Sequence, residues 1–164
     1  MSTQNMNQFK QTAVVGELDL QTNPNPATFT CLFKDKSETL LTTMVPGEGA
    51  MLEDLAAADI SGILPIVDER AAVTDPIFGV KVFTTKKNDS VDGDIVQIAG
   101  EGAVMFMNSE AALLRGASLS LILATPGNVK TVDETGVAVG VSLDKATAAD
   151  QIIRVLIKPI SVTI

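Results

Sequence analysis

Period-two alternation constrains this chain more than any other feature of its sequence. Leu119, Leu121 and Leu123 alternate with Ser118, Ser120 and Ile122, and Ile153, Val155 and Ile157 alternate with Arg154 and Lys158. Val137, Val139, Val141 and Leu143 share one face, with Ala138, Gly140 and Ser142 on the other. A 3.6-residue helix would scatter these sets around its circumference, whereas a pleated strand collects each on one side. Composition agrees: 17 Val, 12 Ile and 16 Thr make 45 β-branched residues among 164, and such side chains favour strands. Gly, Pro and Asp turns separate the runs. The expected fold is all-β: a compact antiparallel barrel or sandwich.

A repeat runs through the alternation. Gly47-Glu48-Gly49-Ala50 returns as Gly100-Glu101-Gly102-Ala103, and each copy leads into an Ala-containing segment closed by a glycine, Gly62 or Gly116. Phe78-Gly79-Val80 then answers Val139-Gly140-Val141, and each copy finishes on an apolar strand, 95–98 or 152–157. The same order of features twice predicts an internal two-fold repeat with units at 47–99 and 100–157. One or two short helices are expected. The clearer one spans 109–115, with Asn108 or Ser109 as cap, Glu110 in the first turn, Arg115 in the last and Gly116 as terminator. Ahead of the repeats, Phe29–Phe33 and Thr39–Val45 read as a hairpin around Lys34–Ser37.

Residues 1–27 differ from the rest and form an expected N-terminal arm, leaving 28–164 as the β-rich domain. The arm opens on a polar, Asn- and Gln-rich stretch and closes on Asn23-Pro24-Asn25-Pro26. Its scattered apolar residues, Phe9, Val14, Val15, Leu18 and Leu20, cannot build a core alone, so they are the candidate partner contacts, with Val14–Val15 or Leu18–Leu20 adding to a sheet edge. The first eleven residues lack the basic and apolar regions of a signal peptide, and no apolar run approaches the ~20 residues that span a bilayer.

The chemistry inventory is sparse. With no His and a single Cys31, imidazole acid–base catalysis, a Ser-His-Asp triad, a Cys/His zinc site and an intrachain disulfide are all excluded. A net charge of −8 opposes wrapping nucleic acid, and the absence of Trp and Tyr leaves little to stack on sugars or bases. Asn88–Ala99 imitates a calcium loop through Asn88, Ser90, Asp92 and Gly93, but its twelfth position is Ala99, where a bidentate Glu is needed. Asp92-Gly93 reads as a turn. The Gly-Glu-Gly loops lack the third glycine of a nucleotide motif. Glu53/Asp54, Asp68/Glu69 and Asp133/Glu134 read as solvated turn acids, and Lys86-Lys87, Arg154 and Lys158 as scattered surface charge. No cofactor, metal or catalytic set is expected.

In the second unit Val104–Met107, Ala112–Ala117, Val139-Gly140-Val141-Ser142-Leu143-Asp144-Lys145-Ala146 and Ile153-Arg154-Val155-Leu156-Ile157, together with Phe78-Gly79-Val80 and Gly93–Ala99 in the first, resemble the capsid cement, or head decoration, proteins of tailed bacteriophages. The likeness covers 46–158; the first 45 residues match nothing recognised. The resemblance implies a compact, non-enzymatic β-fold on the outer surface of a phage head, made in the host bacterial cytoplasm. It implies the major capsid protein and copies of the chain itself as partners, with no nucleic acid and no membrane. Three other classes are open to the same inventory: a tail or baseplate β-module, a carbohydrate-binding module, disfavoured by the missing Trp and Tyr, and an acid-pair hydrolase, the least supported.

Overall fold

The structure, a computed structural model, describes residues 13–35, 43–52, 64–84 and 89–164. Within them the chain is all-β, without a helix. Five strands close the first barrel: β1 (Thr28–Phe33), β3 (Gly49–Leu52), β4 (Ile66–Glu69), β5 (Gly79–Lys81) and β7 (Ile95–Ala99). Five more close the second: β8 (Val104–Ser109), β9 (Ser118–Leu121), β10 (Asn128–Thr131), β11 (Gly136–Ser142) and β12 (Gln151–Val162). A short pair, β2 (Thr43–Met44) with β6 (Ser90–Val91), lies beside the first.

The barrels are the same object built twice. Taken in chain order, β1, β3, β4, β5 and β7 correspond to β8, β9, β10, β11 and β12, and every pairing matches in partner and direction. Each barrel has one parallel pair, β1 with β4 and β8 with β10, and is otherwise antiparallel. Register matches as well. Ala50 faces Gly79 as Leu119 faces Gly140, and Val80 faces Ala99 as Val141 faces Leu156. Turn hydrogen bonds repeat too: Gly47 N to Lys81 O answers Gly116 N to Ser142 O, and Gly93 N to Phe33 O answers Asp150 N to Ser109 O. The bridge between Leu113 and Ala146 holds the place of the β2–β6 pair.

This alignment revises several expectations. Paired strands of the two units start at Thr28 and Val104, whereas the sequence placed the starts at Gly47 and Gly100. The Gly79 and Gly140 strands and the two closing strands are equivalent, but the Gly-Glu-Gly-Ala copies are not: one leads into β3, the other links the barrels before β8. Their left-handed glycines accordingly differ, Gly47 in the first and Gly102 in the second. β1 pairs with β7 and β4, and Thr43–Met44 pairs with β6; residues 39–42 of the expected hairpin lie outside the described residues. No helix forms at 109–115. Ser109 ends β8, Leu113 bridges to Ala146, and Gly116 uses its positive φ for the turn into β9. Seven residues with cap signals alone do not outweigh strand pairing. A register shift in β11 between Ala138 and Gly140 breaks the expected Val137–Leu143 face: Val139 is buried, and Val141 beyond the shift is half-exposed while Gly140 and Ser142 are buried.

Among the described residues the first barrel's core holds Cys31, Phe33, Met44, Ala50, Val67, Val96 and Ile98. The second barrel's interior, with Met105, Met107, Leu119, Val129, Val155 and Ile157, is continuous with Ile77, Val80, Val82 and Ala99 of the first. The barrels therefore meet along an apolar seam, drawn tight where Gly47 and Gly127 leave no room for a Cβ on either backbone.

Candidate functional site

Residues 13–27 form a strap across this seam. Gly16 N donates to Phe106 O, Phe106 N to Glu17 O and Asp19 N to Val104 O, laying the strap along the first half of β8. On its other side Gly16 O accepts from Phe83 N of the first barrel at 2.7 Å. Arg154 locks its far end. The guanidinium makes a two-pronged contact with Asp144 (Nε to Oδ2 at 2.9 Å, Nη2 to Oδ1 at 2.7 Å) and reaches Thr22 Oγ1 at 3.2 Å and Asp19 Oδ2 at 3.9 Å. Arg154 holds the Asp144 carboxyl below its usual range. Asp19, nearly buried, caps the turn that follows by accepting from Gln21 N, Thr22 N and the Thr22 hydroxyl. Arg154, expected as surface charge, is thus a structural clamp.

Of the five arm residues singled out from sequence, the four described ones separate in space. Val15 packs over Gly127 and Gly47, and Leu18 bridges to Met105 and joins the larger core cluster. Val14 and Leu20 project outward, 41% and 56% exposed. Phe9 lies outside the described residues, as do Glu53/Asp54, Lys86-Lys87 and Asn88.

The first barrel holds what sequence reasoning missed. Asp68, Glu69, Arg70 and Lys81, together with Glu48, are all buried. Glu69 pairs across the strands with core residue Ala50, and Lys81 with core residue Ile98, so both side chains share the barrel's inward face. Lys81 Nζ donates to Met44 O at 2.6 Å. Arg70 reaches out of the barrel to Val73 O and, at 3.2 Å, to Val137 O of β11. Glu48 stands at the seam, its Oε2 accepting from Val45 N at 2.8 Å, beside a water-sized cleft lined by Arg70, Leu121 and Gly127. Burial pushes its carboxyl up to about 7, and the neighbouring Glu69 and Asp68 charges add to the rise, against the opposing Val45 hydrogen bond and Lys81 charge. Asp68 and Glu69 are therefore not turn acids. Asp133 and Glu134 are, exposed and paired with Lys130 at 2.8 and 3.7 Å. Among the described residues no group of three or more metal-ligating side chains converges. Asp92 spends its carboxylate on Asp35 N and Lys34, and Gly93 takes φ 86°. No helix of the described residues is long and apolar enough to cross a membrane.

No protein-family model matches the chain, and no curated protein matches its sequence. Among solved structures the chain is similar to the N base of the head fiber gp8.5 of bacteriophage phi29, at 15% identity and a TM-score of 0.50, over 82% of this chain and 95% of that one. The first barrel alone, residues 28–99, is less than half of this chain, so a match of that extent takes in both barrels. The two proteins share a fold.

Proposed function

We propose that this chain is a non-enzymatic structural protein of a phage virion, sited on the outer surface of the head, where it cements the junctions between capsomers by binding the major capsid protein. The single observation that carries this reading is the likeness, across both barrels, to the base of a phage head fiber. The sequence resemblance to head decoration proteins over 46–158 points the same way. Chemistry offers no competitor: the chain has no histidine, and its buried ionisable groups serve strap, seam and core.

Cementing needs no catalysis. A subunit that binds the expanded shell and not its precursor stabilises the expanded form by mass action, and many copies multiply a modest contact through avidity. Val14 and Leu20 are the strap residues that face outward and are the proposed contacts, while Val15 and Leu18 hold the strap to its own barrels. The test is to add purified protein to undecorated heads and image them. Regular density on the head lattice, with heads that withstand heat better, is the expected result. Binding confined to tails, or no binding, overturns it.

A further inference from the structure

The duplicated fold shows one sheet edge filled in the second barrel and, among the described residues, open in the first. In β8 the odd-numbered residues bond to β12, and the even-numbered ones face the other way, where Val104 O, Phe106 N and Phe106 O take the strap. The equivalent groups of β1 are Thr28 O, Thr30 N and Thr30 O. Their strand bonds to β7 through its odd positions, since Phe33 N donates to Asp94 O and Ala27 O accepts from Gly100 N, whereas Leu32 N turns to Pro65 O on the opposite side. Toward Thr28 on that side β4 has not yet begun, and no described residue bonds to Thr28 O or to Thr30 N and O. Thr28, Phe29 and Thr30 are all exposed. The strap is already committed to β8. A second edge left unpaired among the described residues, β12 beyond Ile157, presents Pro159, which has no N–H to give. The β1 edge carries no such guard.

We infer that the Thr28–Thr30 edge is a self-pairing surface, which joins two copies of this chain antiparallel about a two-fold axis at Phe29. The edge is complementary to itself. Thr28 of one copy and Thr30 of the other exchange N–H···O=C bonds, and symmetry doubles the exchange, so four hydrogen bonds form and engage four backbone groups of each copy. Phe29 would lie directly opposite Phe29 of the second copy. Each ring already packs at a tilt against Phe78, with centroids 5.1 Å apart, and Phe29 stays 42% exposed, so pairing would gather four rings into one cluster. No strap is displaced, so these contacts are a net gain. The inference stands whether or not the chain binds a phage head.

A directly opposed non-hydrogen-bonded pair sits at ~4.5 Å between Cα atoms, within disulfide range. Phe29→Cys in the full chain should therefore form a covalent dimer under mild oxidation, while Leu114→Cys, on a 69% exposed residue remote from the edge, should not. The native Cys31 is buried, which raises its thiol pKa and keeps it unreactive. Thr30→Pro, which deletes the outward N–H of an edge strand, should leave the melt cooperative. In sedimentation it should weaken dimerisation by roughly ten- to thirtyfold, the worth of two backbone hydrogen bonds. Should proline disturb the strand, Thr30→Lys blocks the edge without touching the backbone. Equal cross-linking of the Phe29→Cys and Leu114→Cys proteins, or a wild type monomeric at every concentration with no cross-link, overturns the inference. So does a Thr30→Pro protein whose only loss is binding to heads, because that assigns the edge to a segment of the shell instead.

Discussion

The two barrels share every strand pairing and differ in what they enclose. Where the first buries Lys81 and Glu69, the second has Ser142 and Thr131; where the first has Glu48 at the turn into β3, the second has Ala117 before β9. The second is filled by Met, Leu, Val and Ile and shares its cluster with the seam. Among the described residues the first has seven apolar core residues and a buried charge system. Backbone register therefore survives a change of core chemistry, because it is set by ladder bonds and turns common to both. Stability does not survive it equally. Buried ions return little net energy after desolvation, so the second barrel is the anchor, and the first is the half whose stability answers to pH.

The largest effect should come from charging the anchor. Val155→Asp places a carboxylate at a site with no exposure, at a cost of several kcal/mol against a total of ~5–15, and should abolish the cooperative melt. Val141→Asp, on a half-exposed residue beyond the β11 register shift, should leave a folded protein with a lower Tm. If both unfold alike, the assigned register is wrong.

Next come the paired glycines. A Cβ at Gly79 would stand under 3 Å from Ala99 O, and one at Gly140 under 3 Å from Leu156 O. Backbone cannot step aside as a side chain can, so Gly79→Ala and Gly140→Ala should each cost about 2–4 kcal/mol by the overpacking seen in dense interiors. Matched losses in thermal melts would support equivalence; a harmless substitution in either barrel would break it.

Legibility followed the range of the forces involved. The closing strands, the Gly79/Gly140 correspondence and the left-handed Gly93 and Gly116 are local matters of alternation and φ, and were readable. Val14–Val15 and Leu18–Leu20 read as strands for a partner's sheet edge, whereas Leu18 lies on β8 of its own chain. Which edge was not readable, since β8 lies some 90 positions away and its berth exists only once β10 stops short. Asp68-Glu69-Arg70 reads as a solvated turn until Lys81 is brought onto the same inner face. Arg154 looked like scattered charge because Asp144, Asp19 and Thr22 converge on it only in three dimensions. The Gly-Glu-Gly-Ala match misled through identity of letters without identity of place.

Glu48 makes the contrast measurable through pH. Its folded pKa, about 7, lies above the ordinary 4.5, so the folded state holds the proton more tightly than the unfolded one. The stability this gives is fully present below pH 4.5 and is lost as pH rises through 7, about 3 kcal/mol in all. Wild-type Tm should fall by about 5–10 °C between pH 5 and 8, and Glu48→Gln, which keeps an acceptor for Val45 N–H, should flatten that slope. Asp144, with its lowered pKa, acts in the opposite sense, losing its contribution only on acidification below the ordinary carboxylate range. A Glu48→Gln protein with the wild-type slope would move the pH response elsewhere.

The smallest effect separates the barrels at one turn. Gly93 and Asp150 occupy the same place, with φ of 86° and 59°, and Asp150 is the only described non-glycine residue with positive φ. Nothing lies within 4 Å of a Cβ at Gly93, so Gly93→Ala meets no clash and only the left-handed strain, about 1 kcal/mol. Asn tolerates that region through local hydrogen bonding, so Gly93→Asn should cost less than Ala. At the other turn Asp150 also accepts from Asn108 Nδ2 at 3.2 Å, a bond with no counterpart in the first barrel, where the matching residue is Leu32. Asp150→Gly therefore relieves strain but loses that bond and gains unfolded-state entropy, and its melt should stay within a degree or two of wild type. A clear stabilisation would mean that the Asn108 contact contributes nothing. A loss as large as that of Gly93→Ala would mean that the second turn is held by its side chain, whereas the first is held by the freedom of glycine.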